Sequence, residues 1–244
     1  MKVKKGDFMR DTFLFDLDGT VLPMDFDKFM ELYFYNIGEH FKEIINPKEL
    51  VRNILESTEI MVKTKNDKSN EEIFMTHFDT LIDGDVENYK PMFYDFYNST
   101  FDKVKASTHK SKYMRKSIDL LKEKGYKVVL ATNPLFPMIA NHHRIRWAGF
   151  EPSEFEYISS FESNFFCKPH LEYYKEVLES INKDAKNCYM VGNDVYDDLS
   201  SGKLGIETYL ITNHMLNKHK QEVKADHQGT YYDFYKFVQK LENI

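Results

Sequence analysis

Four short apolar runs punctuate the chain: Phe13 to Phe15, Lys127 to Ala131, Cys188 to Val191 and Thr208 to Ile211. Each is continuous rather than alternating, the pattern of strands buried on both faces, and so predicts a mainly parallel sheet flanked by helices. Helical spacing fills the intervals. Residues 111–124 place Met114, Ile118 and Leu121 on one face and stop at Gly125, while Pro169 opens a second helix with Leu171, Tyr174, Val177, Leu178 and Ile181 at helical spacing. The apolar runs end in polar residues: Asp16, Thr132-Asn133, Gly192-Asn193-Asp194 and Thr212-Asn213. In open α/β sheets ligands bind beyond the carboxyl ends of the strands, so these distant segments are expected to build one site.

The stretch from about Asp25 to His109 is of another kind. It reads as successive amphipathic helices over 26–45, 47–62, 69–82 and 85–101, the third opened by a capping box of Ser69 and Glu72, with no strand-like run among them. The expected organisation is therefore an α/β core from residues 1–24 and 110–244, with an all-helical cap over residues 25–109. The aromatic residues of that block, such as Phe29, Tyr33, Phe34 and Phe96, are read as helix packing.

Composition narrows the possible partners. A chain of 244 residues that is 42% hydrophobic can hold a sizeable core, and a net charge of −6 offers no basic field for nucleic acid. No window is long and apolar enough to span a bilayer, and the basic start, Met1 to Gly6, is not followed by an uninterrupted apolar stretch. Two cysteines, Cys167 and Cys188, give no disulfide framework and suit a reducing cytoplasm; both are read as packing residues, Cys167 with modest reactivity beside Lys168.

The chemistry concentrates in Asp16-Leu17-Asp18-Gly19-Thr20. Side chains at i and i+2 of an extended segment share a face, so Asp16 and Asp18 can converge on one point while Gly19 supplies the turn. Two adjacent carboxylates repel, and a divalent cation among oxygen ligands relieves that repulsion. The pattern points to Mg²⁺-dependent chemistry with an aspartate nucleophile.

This pentapeptide resembles the first motif of the haloacid dehalogenase superfamily of phosphatases and related enzymes. Thr132 resembles the second motif, Lys168 the third, and the acidic run Gly192 to Asp198 the fourth, all in order along nearly the whole chain. The resemblance implies a Rossmann-like core with a helical cap, and roles for particular residues. Asp16 is the expected nucleophile and Asp18 the general acid and base. Thr132 and Asn133 are expected to hold phosphoryl oxygens, with Lys168 neutralising charge. Mg²⁺ is expected on Asp16, the Asp18 carbonyl and a group from the fourth motif, with Gly19, Thr20, Asp197 and Asp198 in support. Where family members commonly carry Asp after the motif's glycine this chain has Asn193 followed by Asp194, so either is a candidate metal ligand.

The expected activity is hydrolysis of a small phosphorylated metabolite, in the cytoplasm, with oligomeric state left open. Dehalogenases lack the second aspartate because a halide needs no proton, and phosphonate-cleaving relatives also depart there, so Asp18 argues against both. A sugar-phosphate mutase shares all four motifs and stays open, as does a non-catalytic phosphate-binding protein on the same fold. A phosphoaccepting receiver module would carry its acidic pair and its acceptor on different strands. No glycine-rich dinucleotide or P-loop pattern occurs. His142, His143, His214 and His219 are read as structural, whereas His170 is close enough to Lys168 in sequence to touch substrate.

Overall fold

The structure, a computed structural model, describes residues 10–244; the basic start of the chain lies outside them. Four strands form at the four apolar runs: β1 (Thr12–Phe15), β2 (Lys127–Leu130), β3 (Cys188–Gly192) and β4 (Glu207–Ile211). A fifth, β5 (His227–Gly229), extends the edge beside β4. Its His-Gln-Gly sequence carries no apolar run, because an edge strand this short is not buried on both faces. The order is β2-β1-β3-β4-β5 and every pairing is parallel. The chain winds outward from β1 to β2 on one side and to β3 on the other, so the carboxyl ends of β1 and β3 flank the switch point where α/β proteins place ligands.

Both faces of the sheet are covered. Phe13 and Phe15 meet Phe234 of helix α8 (Tyr231–Lys240), with ring centroids 6.3 and 5.8 Å apart, while Leu14 points the other way into a cluster with Tyr173 and Val177 of helix α7 (Leu171–Ser180). Helix α5 (Lys112–Glu123) lies beside α8, and Gly125 just after it adopts the left-handed φ of 94° that ends it as expected. The helix expected from Pro169 begins two residues later, with His170 as its N-cap. After β3 the acidic run leads into a 3₁₀ segment, Asp198–Leu204.

Between β1 and α5 all the regular structure is helical: α1 (Phe26–Phe41), α2 (Pro47–Lys63), α3 (Asn70–Asp79) and α4 (Lys90–Ser99). The Ser69–Glu72 capping box is formed. The single helix expected over 85–101 is instead a 3₁₀ turn, then α4, then a second 3₁₀ segment Phe101–Ser107; Pro91 in the first turn of α4 lacks the N–H that a continuous helix would need there. The chain enters and leaves this insertion side by side, Met24 pairing with Thr108 and the His109 N–H donating to the Pro23 carbonyl at 3.0 Å. The apolar interior of the insertion runs without a break into that beneath the sheet, from Phe41, Phe78 and Phe101 through Phe29 to Phe13. That continuity holds the helices over the strand ends.

Candidate active site

Asp16 follows β1 directly, and its N–H donates to the Val191 carbonyl of β3 at 2.9 Å. Its carboxylate accepts from Lys168 Nζ at 2.8 Å, and the same ammonium donates to Asp198 at 2.7 Å. Lys168 is 1% exposed, so this is a buried cation shared by two carboxylates. A Cβ on Gly192 would come within 2.1 Å of Asp198 Oδ2, so glycine at the end of β3 makes room for that carboxylate. Asp198 also accepts from the Asp194 N–H at 2.9 Å. Burial opposes the charge on Lys168, but Asp16 and Asp198 outweigh it and hold the ammonium well above its ordinary value. The acids themselves bear the surplus of negative charge. Burial and the neighbouring Asp198 push Asp16 up to about 8 against the pull of Lys168, and burial with Asp194 and Asp198 pushes Asp197 up to about 7.

Asp18 faces a different cation. Its carboxylate is ion-paired with Arg144, a fully buried residue of helix α6 (Met138–Ala148) that also bonds the side chain of Asn141 and lies 4.2 Å from the ring centroid of Phe136. Burial raises the Asp18 carboxyl, and Arg144 opposes that rise. Sequence reading missed Arg144. The available signal was on α6 itself: Asn141, Arg144, Ile145 and Ala148 share one helical face, and two polar residues stand where packing would call for apolar ones.

Gly19, at a φ of 87°, packs so closely on Asn193 that a Cβ would meet its Nδ2 at 2.3 Å. The amide of Asn193 is engaged at both ends, accepting from Thr20 Oγ1 at 2.9 Å and donating to the His214 carbonyl at 2.7 Å. Asp194 Oδ1 accepts from the N–H groups of Tyr196 and Asp197. Asn133 braces two motifs, accepting from the Lys168 N–H and donating to Asp197, each at 3.2 Å. The Thr132 carbonyl is held by Ser159 Oγ at 2.7 Å and by Tyr173 at 2.8 Å, and Thr132 borders the cavity.

One cavity of about 690 Å³ has Asp16, Asp18, Thr132, Asn133, Lys168, Asn193, Asp194, Asp197 and Asp198 on its floor. Helices α1 to α4 supply the facing wall. His142 lines it too, whereas His170 donates to the Val62 carbonyl at 2.9 Å. His214 lies tilted against the ring of His109, and His219 lies against Tyr196. Cys167 and Cys188 are buried, and burial pushes Cys188 up to about 12 and Cys167 further, so neither is a reactive thiol.

A protein-family model described as haloacid dehalogenase-like hydrolase matches residues 10–206. The chain belongs to that family. Several solved structures share its fold. A HAD phosphatase from Thermococcus onnurineus is 15% identical, with a TM-score of 0.59 over 96% of this chain and 100% of that one. The magnesium-bound YfnB of Bacillus subtilis is 17% identical, with a TM-score of 0.58 over 95% and 99%. A Thermotoga maritima protein provisionally assigned as a β-phosphoglucomutase is 22% identical, with a TM-score of 0.57 over 95% and 99%. At such identities the likeness is one of fold. No curated protein matches the chain by sequence.

Members of this family use Mg²⁺, and the donor set here suits it. Asp18 Oδ1 is a buried carboxylate oxygen with no hydrogen-bond partner. Around it Asp16, Asp18, Asp194, Asp197 and Asp198 face the cations Lys168 and Arg144, an excess of hard, anionic oxygen that a small divalent cation would offset. No group of three or more His, Cys, Asp or Glu side chains among the described residues is gathered as a metal cage. Backbone oxygen and water would have to complete the coordination, as is usual for Mg²⁺.

Proposed function

We propose that this hydrolase is a Mg²⁺-dependent phosphatase of small phosphorylated molecules, working through an aspartyl-phosphate on Asp16. The observation that carries the reading is the buried Lys168 bridging Asp16 and Asp198 while Asp18, two residues on, presents an unpartnered oxygen in the same cavity. In the first step a carboxylate oxygen of Asp16 attacks phosphorus, the bond from phosphorus to the ester oxygen breaks, and Asp18 gives its proton to the leaving alkoxide. In the second, Asp18 takes a proton from water as its oxygen attacks phosphorus, and the bond to Asp16 breaks to release phosphate. Lys168 offsets charge on the phosphoryl oxygens and on the nucleophile, and Thr132 donates to one of those oxygens. Arg144 positions Asp18 beside the leaving group.

Asp16, the backbone carbonyl of Asp18 and Asp194 would hold Mg²⁺. Asp194 is preferred to Asn193 because both ends of the Asn193 amide are already bonded within the protein. Bound there, the cation would neutralise part of the charge between carboxylate and phosphoryl group. Helices α1 to α4, residues 25–109 in the domain division proposed here, would act as a cap that excludes water and selects the leaving group. Dehalogenases share the fold, but a proton donor at Asp18 serves an alkoxide and not a halide.

A phosphate-release screen over a panel of phosphorylated metabolites, with Mg²⁺ or with chelator, tests the reading alongside Asp16→Asn. Release that requires Mg²⁺ and Asp16 is expected. Turnover that survives chelation or the substitution overturns the mechanism, and isomerised product without free phosphate identifies a mutase.

A further inference from the structure

Above the carboxylate floor the cavity changes character. Its wall is built from Met30 and Phe34 of α1, Leu55 of α2, Met75 of α3, Tyr94 of α4, and Phe136 ahead of α6. Several of the polar groups lining the cavity are bonded to the protein itself, although Glu71, His142 and Lys218 line it as well. Tyr33 and Tyr97 bond each other's hydroxyls at 2.9 Å, Thr58 donates to the Ile54 carbonyl at 2.8 Å, and both oxygens of Glu162 accept from the Met138 N–H at 3.0 Å. Lys90 is paired with Glu87. Along the stretch formed by Met30, Phe34, Leu55, Met75 and Phe136 a ligand hydroxyl would find no side-chain partner, at a cost for each group left unpaired.

The volume points the same way. At about 690 Å³ the cavity lies in the range of sites for drug-sized ligands, far more than a phosphoryl group and a two- or three-carbon alcohol fill. The apolar wall also begins where the chemistry ends: Arg144, paired with Asp18, lies against the ring of Phe136, which itself faces the cavity. Leu55 and Tyr94 are 48% and 64% exposed yet belong to the cavity lining, so apolar surface continues to its lip.

We infer that the phosphate ester this site accepts carries an extended apolar alcohol, its carbon body lying along the insertion wall. The inference rests on the phosphatase reading for the position of the phosphoryl group and goes beyond it in naming the leaving group. It speaks against a sugar-phosphate substrate, and so against the mutase.

The test uses the unmodified protein with Mg²⁺ and two series. Butyl, hexyl and octyl phosphate, below their micellar concentrations, are compared for phosphate release with glycerol 3-phosphate and glucose 6-phosphate; all are esters of primary alcohols, so intrinsic reactivity differs little. The matching alkylphosphonates, which have no ester bond to break, are titrated by calorimetry. Both kcat/KM and affinity should rise about threefold to fourfold per methylene until the wall is filled. The gradient should flatten in Leu55→Asp, a substitution at a half-exposed position where folding is little at risk. Mg²⁺-dependent phosphate release with no gradient, or with glucose 6-phosphate preferred, overturns this inference and leaves the phosphatase reading intact. A gradient in phosphonate binding with no ester hydrolysed overturns the phosphatase reading and leaves the apolar pocket.

Discussion

The two sides of the cavity are built on opposite principles. On the floor, charged atoms hold one another: Lys168 is gripped by Asp16 and Asp198, Asp18 by Arg144, and Asn133 ties the loop of Lys168 to Asp197. On the wall, aromatic rings meet edge to face, as between Tyr33 and Phe96 or Phe78 and Phe93, and the hydroxyls of Tyr33 and Tyr97 bond each other. A buried charge network stands or falls with each partner, whereas an apolar wall loses stability roughly in proportion to the surface removed. The floor is thus suited to fixing reacting atoms within small tolerances, and the wall to accepting variation in what it encloses.

The sharpest break of this contrast is Lys168→Met. It leaves Asp16 and Asp198 buried without their shared cation, a loss of about 3–5 kcal/mol of unfolding free energy together with turnover. Denaturant unfolding and phosphate release on the same preparation check both. An unfolding free energy within 1 kcal/mol of the parent protein would show that the floor is not the coupled network described here, given that such networks lose several kcal/mol when one partner goes.

A divalent cation should act on the floor alone. The folded-state values of Asp16 and Asp197, raised to about 8 and about 7, lie above the ordinary carboxylate value, so the folded protein binds protons more tightly than the unfolded chain does. Stability from these groups is fully present below about pH 4 and is lost as pH rises through 7 and 8 in protein kept free of divalent cations. Mg²⁺ at about a hundred times its Kd should restore about 2.7 kcal/mol at pH 8 and flatten the pH profile. Thermal melts from pH 5 to 8, with Mg²⁺ or with chelator, read this; identical profiles would remove the case for a cation at these carboxylates.

A smaller, more local effect is expected from Gly192→Ala. The added Cβ meets Asp198 Oδ2 at 2.1 Å, and moving that carboxylate carries Lys168 with it. About 1–3 kcal/mol of overpacking strain should accompany a fall in kcat larger than any change in KM. Steady-state kinetics beside unfolding curves separate the two.

How much was legible follows the same division. Strands β1 to β4 showed because burial on both faces writes itself as an unbroken apolar run, and β5 did not because His227-Gln228-Gly229 lies at an edge. Asp16 and Asp18 stood out because they follow β1 directly, and Lys168 and Asp198 because the one stands just before a helical segment and the other at the start of one, in the order the motifs require. Arg144 reaches Asp18 from the middle of α6, and Ser159 and Tyr173 reach the Thr132 carbonyl from elsewhere in the chain, so spacing says nothing of either contact. The wall was the least legible part. Phe34 and Phe41 lie on one helix with the same hydropathy, yet Phe41 is fully buried in the packed interior and Phe34 borders the cavity. Periodicity locates an apolar face without distinguishing the part that packs from the part that waits for a ligand.

The smallest predicted effect bears on the wall's paired polar atoms. If the hydroxyls of Tyr33 and Tyr97 serve only each other, at 2.9 Å, then Tyr33→Phe strands the Tyr97 hydroxyl in a buried place and should cost about 1–2 kcal/mol. Tyr97→Phe should cost a similar amount for the same reason. Removing both hydroxyls leaves no unsatisfied group, so the double variant should be more stable than the sum of the single losses by about 1 kcal/mol or more. Turnover of an apolar ester should change little in all three variants. If one of these hydroxyls instead bonds the substrate, the single variants raise KM and the double variant recovers stability without recovering affinity. That outcome would move the Tyr33–Tyr97 pair from the wall's interior packing to its ligand-facing side, and would put a polar point of recognition inside an otherwise apolar pocket.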